Sequence, residues 1–138
     1  KSLKTGESVH FDSSWEEERM KQLDQDPDVI FWTRPRSPVS YILRNKTKKY
    51  FPDLEIHYAD KVVVEEIKAI FTDDFLVKHA AAITHFDSLG VHFRVIFRRQ
   101  PGDFVEVDKN MIQSLTLGAS FDEIFGFYRS KKRKSSDD

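Results

Sequence analysis

One stretch, Tyr50 to Lys68, constrains this chain more than any other. It runs Tyr-Phe-Pro-Asp-Leu-Glu-Ile-His-Tyr, passes through the turn Ala59-Asp60-Lys61, and continues Val-Val-Val-Glu-Glu-Ile-Lys. Two runs rich in β-branched and aromatic residues either side of a short polar turn predict a hairpin. Side chains alternate across a strand, so Glu66 and Lys68 share a face while Ile67 points away. Asp53, directly after Pro52, comes from the partner strand. The hairpin therefore sets an acid from one strand beside an acid and an amine from the next, which suits a metal ion and a water.

The segments around it set the fold class. Asp12, Ser13 and Ser14 offer N-caps, with Glu16 or Glu17 three residues on, and predict a helix from Ser14 to about Leu23. One side carries Trp15, Arg19, Met20 and Leu23. Glu16 lies on the border of that stripe, whereas Glu17 and Glu18 face outward with Lys21 in reach. A carboxylate beside a core is costly unless it is paired or metal-bound; capping and dipole compensation are the other use for it.

Asp26-Pro27-Asp28 ends the helix. Strands are predicted at Val29–Trp32, Val39–Leu43 and Lys48–Tyr58, with a basic connection at Thr33–Pro38 and a turn at Arg44–Thr47. From Asp73 the period changes: Phe75, Leu76, His79, Ala80, Ile83 and Phe86 recur at helical spacing up to Gly90. Val91–Phe97 follows as a strand. Strand, helix, strand in that order favours a parallel pair, hence an α/β fold with a mixed sheet backed by helices. Two short helices, 110–117 and 121–128, are predicted around Gly118.

The chain has 138 residues, enough for one domain. Residues 1–10 read as a flexible lead-in, 11–129 as that domain and 130–138 as a disordered charged tail. With no cysteine, disulfides and thiolate-bound zinc are excluded, and a reducing cytoplasm is expected. No run reaches the roughly 20 apolar residues of a membrane span. The polar N-terminus resembles no signal peptide. Charge nearly cancels at −1 but is unevenly placed. Seven acids crowd Asp12–Asp28, while Thr33–Lys49 holds Arg34, Arg36, Arg44, Lys46, Lys48 and Lys49 and no acid.

Pro52-Asp53 followed by Glu66-Ile67-Lys68 resembles the signature of the PD-(D/E)xK nuclease superfamily. Adding Ser13-x-Trp15-Glu16, Leu23, Asp26-Pro27-Asp28-Val29 and Pro35, the region from Phe11 to Phe97 is most similar to the N-terminal catalytic domain of TnsA-type transposon endonucleases. Trp15 replaces that family's usual leucine, and Arg34-Pro35 stands where it tends to have Gln-Pro. The chain ends where those proteins continue into a second domain.

The resemblance implies a restriction-endonuclease-like fold and a DNA endonuclease of a phage or mobile element, acting in a bacterial or phage-infected cell. It also implies that Glu16 is a site residue. Oxygen-rich donors select Mg²⁺, with Mn²⁺ an alternative. Asp53, Glu66 and the Ile67 carbonyl are expected to hold the ion, with Glu16 joining directly or through water. Lys68 would position the attacking water. DNA would lie over the six basic residues of the 33–49 segment, with Arg98, Arg99 and Lys131–Lys134 as weaker contacts. A transposase or other DNA-targeting partner and a homodimer stay open. So do two rival roles: a catalytically silent DNA-binding or assembly subunit, and a stand-alone Holliday-junction resolvase-like nuclease.

Overall fold

The structure is a computed structural model, and it describes residues 14–120 and 123–124. The lead-in, Asp12, Ser13, the tail and most of the helix expected over 121–128 lie outside the described residues. In chain order the elements are α1 (Ser14–Gln25), β1 (Val29–Thr33), β2 (Val39–Leu43), β3 (Lys46–Tyr50) and β4 (Leu54–Tyr58). They continue with β5 (Val62–Ile67), α2 (Asp73–Asp87), β6 (His92–Gln100), β7 (Asp103–Val107) and α3 (Lys109–Thr116).

A five-stranded sheet runs β1-β4-β5-β6-β7, and β2-β3 form a separate ribbon. β4 and β5 pair antiparallel across the Ala59–Lys61 turn, with Leu54 opposite Glu65. β5 and β6 pair parallel, joined by the crossover through α2. The sheet is thus mixed and flanked by helices, in the α/β class the sequence predicts. α1 stops before Pro27, which cannot continue a helix; Asp26 Oδ1 accepts the Asp28 N–H there at 2.9 Å. α3 is capped by Asp108, whose carboxylate accepts the Met111 N–H at 2.9 Å.

Each face of the sheet has its own core. Met20 and Leu23 of α1 pack with Val29, Trp32, Leu54 and Ile56. The Trp32 indole N–H, which would otherwise be buried unpaired, donates to Asp24 at 2.8 Å. On the other face Phe75, Ala82 and Phe86 of α2 meet Val39, Val64, Phe93, Val95, Val107 and Ile112. Burying one such side chain contributes roughly 1.5–3 kcal/mol. β5 therefore has an α1 face (Val63, Glu65, Ile67) and an α2 face (Val64, Glu66).

Three expectations need correction. The strand expected over 48–58 is two strands, because Pro52 is buried, lacks a ladder N–H and bends the chain between the ribbon and the sheet. Asp53 therefore sits on the bend, its backbone N–H donating to the Glu65 carbonyl at 3.1 Å. The turn expected over 44–47 is tighter: Arg44 and Asn45 take φ 51 and 65, and Lys46 already belongs to β3. Two residues with positive φ match the twist of a hairpin. Finally, β7 pairs with β6 where no strand is predicted; Gly102 at φ 80 makes the turn.

Candidate active site

Asp53 is fixed by its neighbour strand. Its Oδ2 accepts the Ile67 backbone N–H at 2.7 Å, bracing the mouth of the hairpin. Because Leu54 faces Glu65, Asp53 lies alongside Glu66. Glu66 is 6% exposed on the α2 face. Burial pushes its carboxyl up and Asp53 adds to the effect, with Glu16 adding less, while Lys78 and Lys68 pull the other way. The balance stands at about 7, against an ordinary 4.5. Lys68 follows the end of β5, its backbone N–H on the Ile96 carbonyl at 3.0 Å. Its Nζ lies 4.8 Å from the centre of the Phe75 ring.

Glu16 reaches the same neighbourhood from α1. It is 5% exposed, and Arg34 Nη1 donates to its Oε1 at 3.1 Å. The same nitrogen lies 3.5 Å from the Asp53 carbonyl oxygen. Arg34 thus stands between the helix carboxylate and the bend that carries Asp53. The structure brings Glu16, Asp53, Glu66 and Lys68 into one electrostatic neighbourhood, with an arginine on Glu16.

Sequence reasoning missed two groups. Lys78 extends from α2 with its Nζ 4.3 Å from the Tyr50 ring centre. Burial holds its pKa below the ordinary lysine value; Glu66 and Asp53 oppose that shift and Lys68 reinforces it. The Tyr50 hydroxyl is buried and has no hydrogen-bond partner among the described residues. Burial, then the charges of Glu66 and Asp53 with Tyr41 between them in weight, push that phenol far up, so it stays neutral. A signal for Lys78 was present: it falls three residues after Phe75 and four before Ala82, a lysine on the apolar stripe.

Among the described residues no group of three or more His, Cys, Asp or Glu side chains is placed to hold a metal ion. Two carboxylates are a sufficient donor set for Mg²⁺, which keeps several waters and takes one or two carboxylates with substrate phosphate. Asp53 and Glu66 fit that requirement: the charge of Asp53 raises the cost of ionising Glu66, and a cation relieves it. The Ile67 carbonyl is the adjoining backbone oxygen.

Of the six basic candidates, Arg36, Arg44, Lys46, Lys48 and Lys49 are exposed. Arg34 is turned into the site instead, and Arg44 is tied to Asp74 of α2 at 3.1 Å. Arg98 pairs with Glu18 and Arg99 with Asp103, at 2.8 and 2.7 Å. Glu18 accordingly packs against the sheet side rather than facing solvent alone. Lys131–Lys134 lie outside the described residues. His79 is buried in the α2 core. His85 lines a cleft of about 270 Å³ with Arg34, Arg36 and Glu55.

No protein-family model matches the chain, and no curated protein matches it. No helix among the described residues is long and apolar enough to cross a membrane.

Proposed function

We propose that this chain is a metal-dependent endonuclease that hydrolyses phosphodiester bonds in DNA, with a restriction-endonuclease-like site. One observation carries the reading: Glu66, buried and raised to about 7, lies beside Asp53 on one hairpin with Lys68 and Lys78 facing it. Desolvation and the charge of Asp53 raise Glu66, against the pull of two amines. Such strained groups cluster at functional sites.

A Mg²⁺ or Mn²⁺ ion, when bound, supplies Lewis acidity at the phosphoryl oxygen and a more acidic water. The chain's own residues do the rest. Asp53, held by the Ile67 N–H, and Glu66 present oxygens in a fixed orientation. Lys68 donates hydrogen bonds to the attacking water or to a non-bridging oxygen. Lys78 offsets charge gathering on the phosphate. Water oxygen bonds to phosphorus, the bond to the leaving ester oxygen breaks, and the proton the water gives up is balanced by one taken from solvent by the leaving oxygen, so the products are a phosphate monoester and a hydroxyl. Arg36, Lys46 and Lys48 contact phosphates of the duplex. The reading places the chain on DNA in a bacterial or phage-infected cytoplasm, with a transposase-type partner, a homodimer or neither.

A second reading has one observation in its favour. Arg34 already neutralises Glu16, which suits a silent DNA-binding or assembly subunit. Nicking of supercoiled plasmid in Mg²⁺ separates the two. The nuclease reading expects cleavage that EDTA stops, that Glu66→Gln lowers by about 10³-fold or more, and that Lys68→Ala lowers by about 10²-fold. Plasmid that is bound yet never nicked in Mg²⁺ or Mn²⁺ overturns it.

A further inference from the structure

The β2–β3 ribbon stands outside the five-stranded sheet, and its two faces differ. Its register puts Val39 opposite Tyr50, Tyr41 opposite Lys48 and Leu43 opposite Lys46 on one face. Ser40 opposite Lys49 and Ile42 opposite Thr47 make the other. On the first face Val39 is buried in the α2 core, and Tyr41, Leu43 and Tyr50 are half-buried. On the second all four side chains are exposed, Ile42 at 67%. Between Val39 and Tyr50 there are four bases and no acid. The ribbon's foot is at the candidate site, since the Tyr50 phenol lies in the field of Glu66 and Asp53. Its turn is braced against α2 through Arg44 and Asp74.

We propose that this ribbon enters the DNA major groove beside the cut and reads base edges through Ser40, Ile42, Thr47 and Lys49, making the chain a sequence-selective nuclease. The inference rests on the nuclease reading and extends it. A two-stranded ribbon is one of the two elements the major groove, about 12 Å wide, admits. The outward face carries the chemistry of base readout rather than of backbone binding. Its hydroxyls both donate and accept, its ammonium suits the acceptors of guanine, and its aliphatic side chain suits the methyl of thymine. Lys46 and Lys48, on the inner face but exposed, flank the ribbon where the phosphate walls of the groove would lie.

The geometry also fixes where reading occurs. A strand rises about 3.3 Å per residue, so the Ile42–Thr47 pair lies about 10 Å from Tyr50 along the ribbon. At about 3.4 Å per base pair, contacts fall roughly two to six base pairs from the scissile phosphate.

The test uses the full chain on a duplex pool with a randomised central region. One arm sequences the ends cut in Mg²⁺; the other sequences duplexes retained by the chain in Ca²⁺. The proposal expects a base preference of about tenfold or more at one or more positions two to six base pairs from the cut. Ile42→Ala with Thr47→Ala should flatten that preference and leave the salt dependence of binding unchanged. Lys49→Ala should also reduce the salt slope by about one. All three positions are exposed, and the circular dichroism of each variant should match the parent. Cutting without base preference, or a preference that survives the double variant, overturns the ribbon's role and leaves the nuclease reading standing. Binding without cutting overturns the nuclease reading, and the Ca²⁺ arm then decides the ribbon alone. Absence of both binding and cutting overturns both.

Discussion

Glu65 and Glu66 are neighbours of the same chemistry and nearly equal burial, on opposite faces of β5. Glu65 is fully buried toward α1, and its carboxylate is shared by Arg19 and Arg94. Burial pushes it up, but the two guanidiniums outweigh burial and hold it below the ordinary range. Glu66, toward α2, meets Asp53 and two lysines, and stands at about 7. The first acid is neutralised by the fold. The second is charged at a cost that the fold does not remove, which leaves room for a cation to do so. What separates structure from chemistry here is the partner set, not residue type or depth.

The largest effect should come from the paired acid. Glu65→Ala leaves two half-buried guanidiniums without their shared carboxylate and should lower unfolding free energy by about 3–5 kcal/mol. Glu66→Ala at pH 8 should cost little or even stabilise. Equal losses by urea denaturation would end the contrast.

The next effect is a pH dependence of opposite sign at the two acids. Glu66 binds its proton more tightly when folded than when unfolded, so stability falls as pH rises from about 4.5 through about 7. The whole fall amounts to ~3 kcal/mol. Glu65, lowered in the fold, contributes stability present above about 4.5 and lost as pH falls through its folded value. The difference between parent and Glu66→Gln, followed by urea unfolding from pH 4.5 to 8, should isolate the first slope. A flat difference would remove the basis for the site.

Slightly smaller is the response to metal. Mg²⁺ at 100 times its Kd should stabilise by ~2.7 kcal/mol, visible as a higher Tm that EDTA reverses. The gain should vanish in Glu66→Gln and weaken below pH 7, where protons compete. A Tm that ignores Mg²⁺ counts against the site. The smallest effect sharpens the comparison from the α2 side: Lys78→Met should raise the Glu66 pKa by about one unit, read by NMR titration of its carboxyl carbon. No change would mean that Lys78 takes no part in the balance.

The hairpin at 59–61, the helix over 73–87 and the parallel β5–β6 pair were legible, because hydrophobic period and turn residues carry them. Glu16 was legible as a border position and is buried. Other features depend on context. Pro52 sits in an apolar, aromatic run that reads straight through it, so the break between β3 and β4 stayed hidden. β7 has too short an alternation, Asp-Phe-Val-Glu-Val, to declare itself before β6 is there to pair with it. The local pattern picks out Glu66 through Lys68 two residues on, but it says nothing of how Glu65 is neutralised, since its arginines arrive from α1 and β6. Arg34 reads as one base among six; its turn toward Glu16 is a tertiary fact.

Very little chain has to be ordered to build the centre. Tyr50, Asp53, Glu66, Lys68 and Lys78 span 29 consecutive residues, folded by one tight hairpin and the entry to α2. Short loops close at low entropic cost and quickly. Glu16 alone among the site carboxylates comes from a distant segment, and α1 must dock before it can take part. During folding, therefore, the hairpin acids should meet each other well before Arg34 and Glu16 arrive at their side.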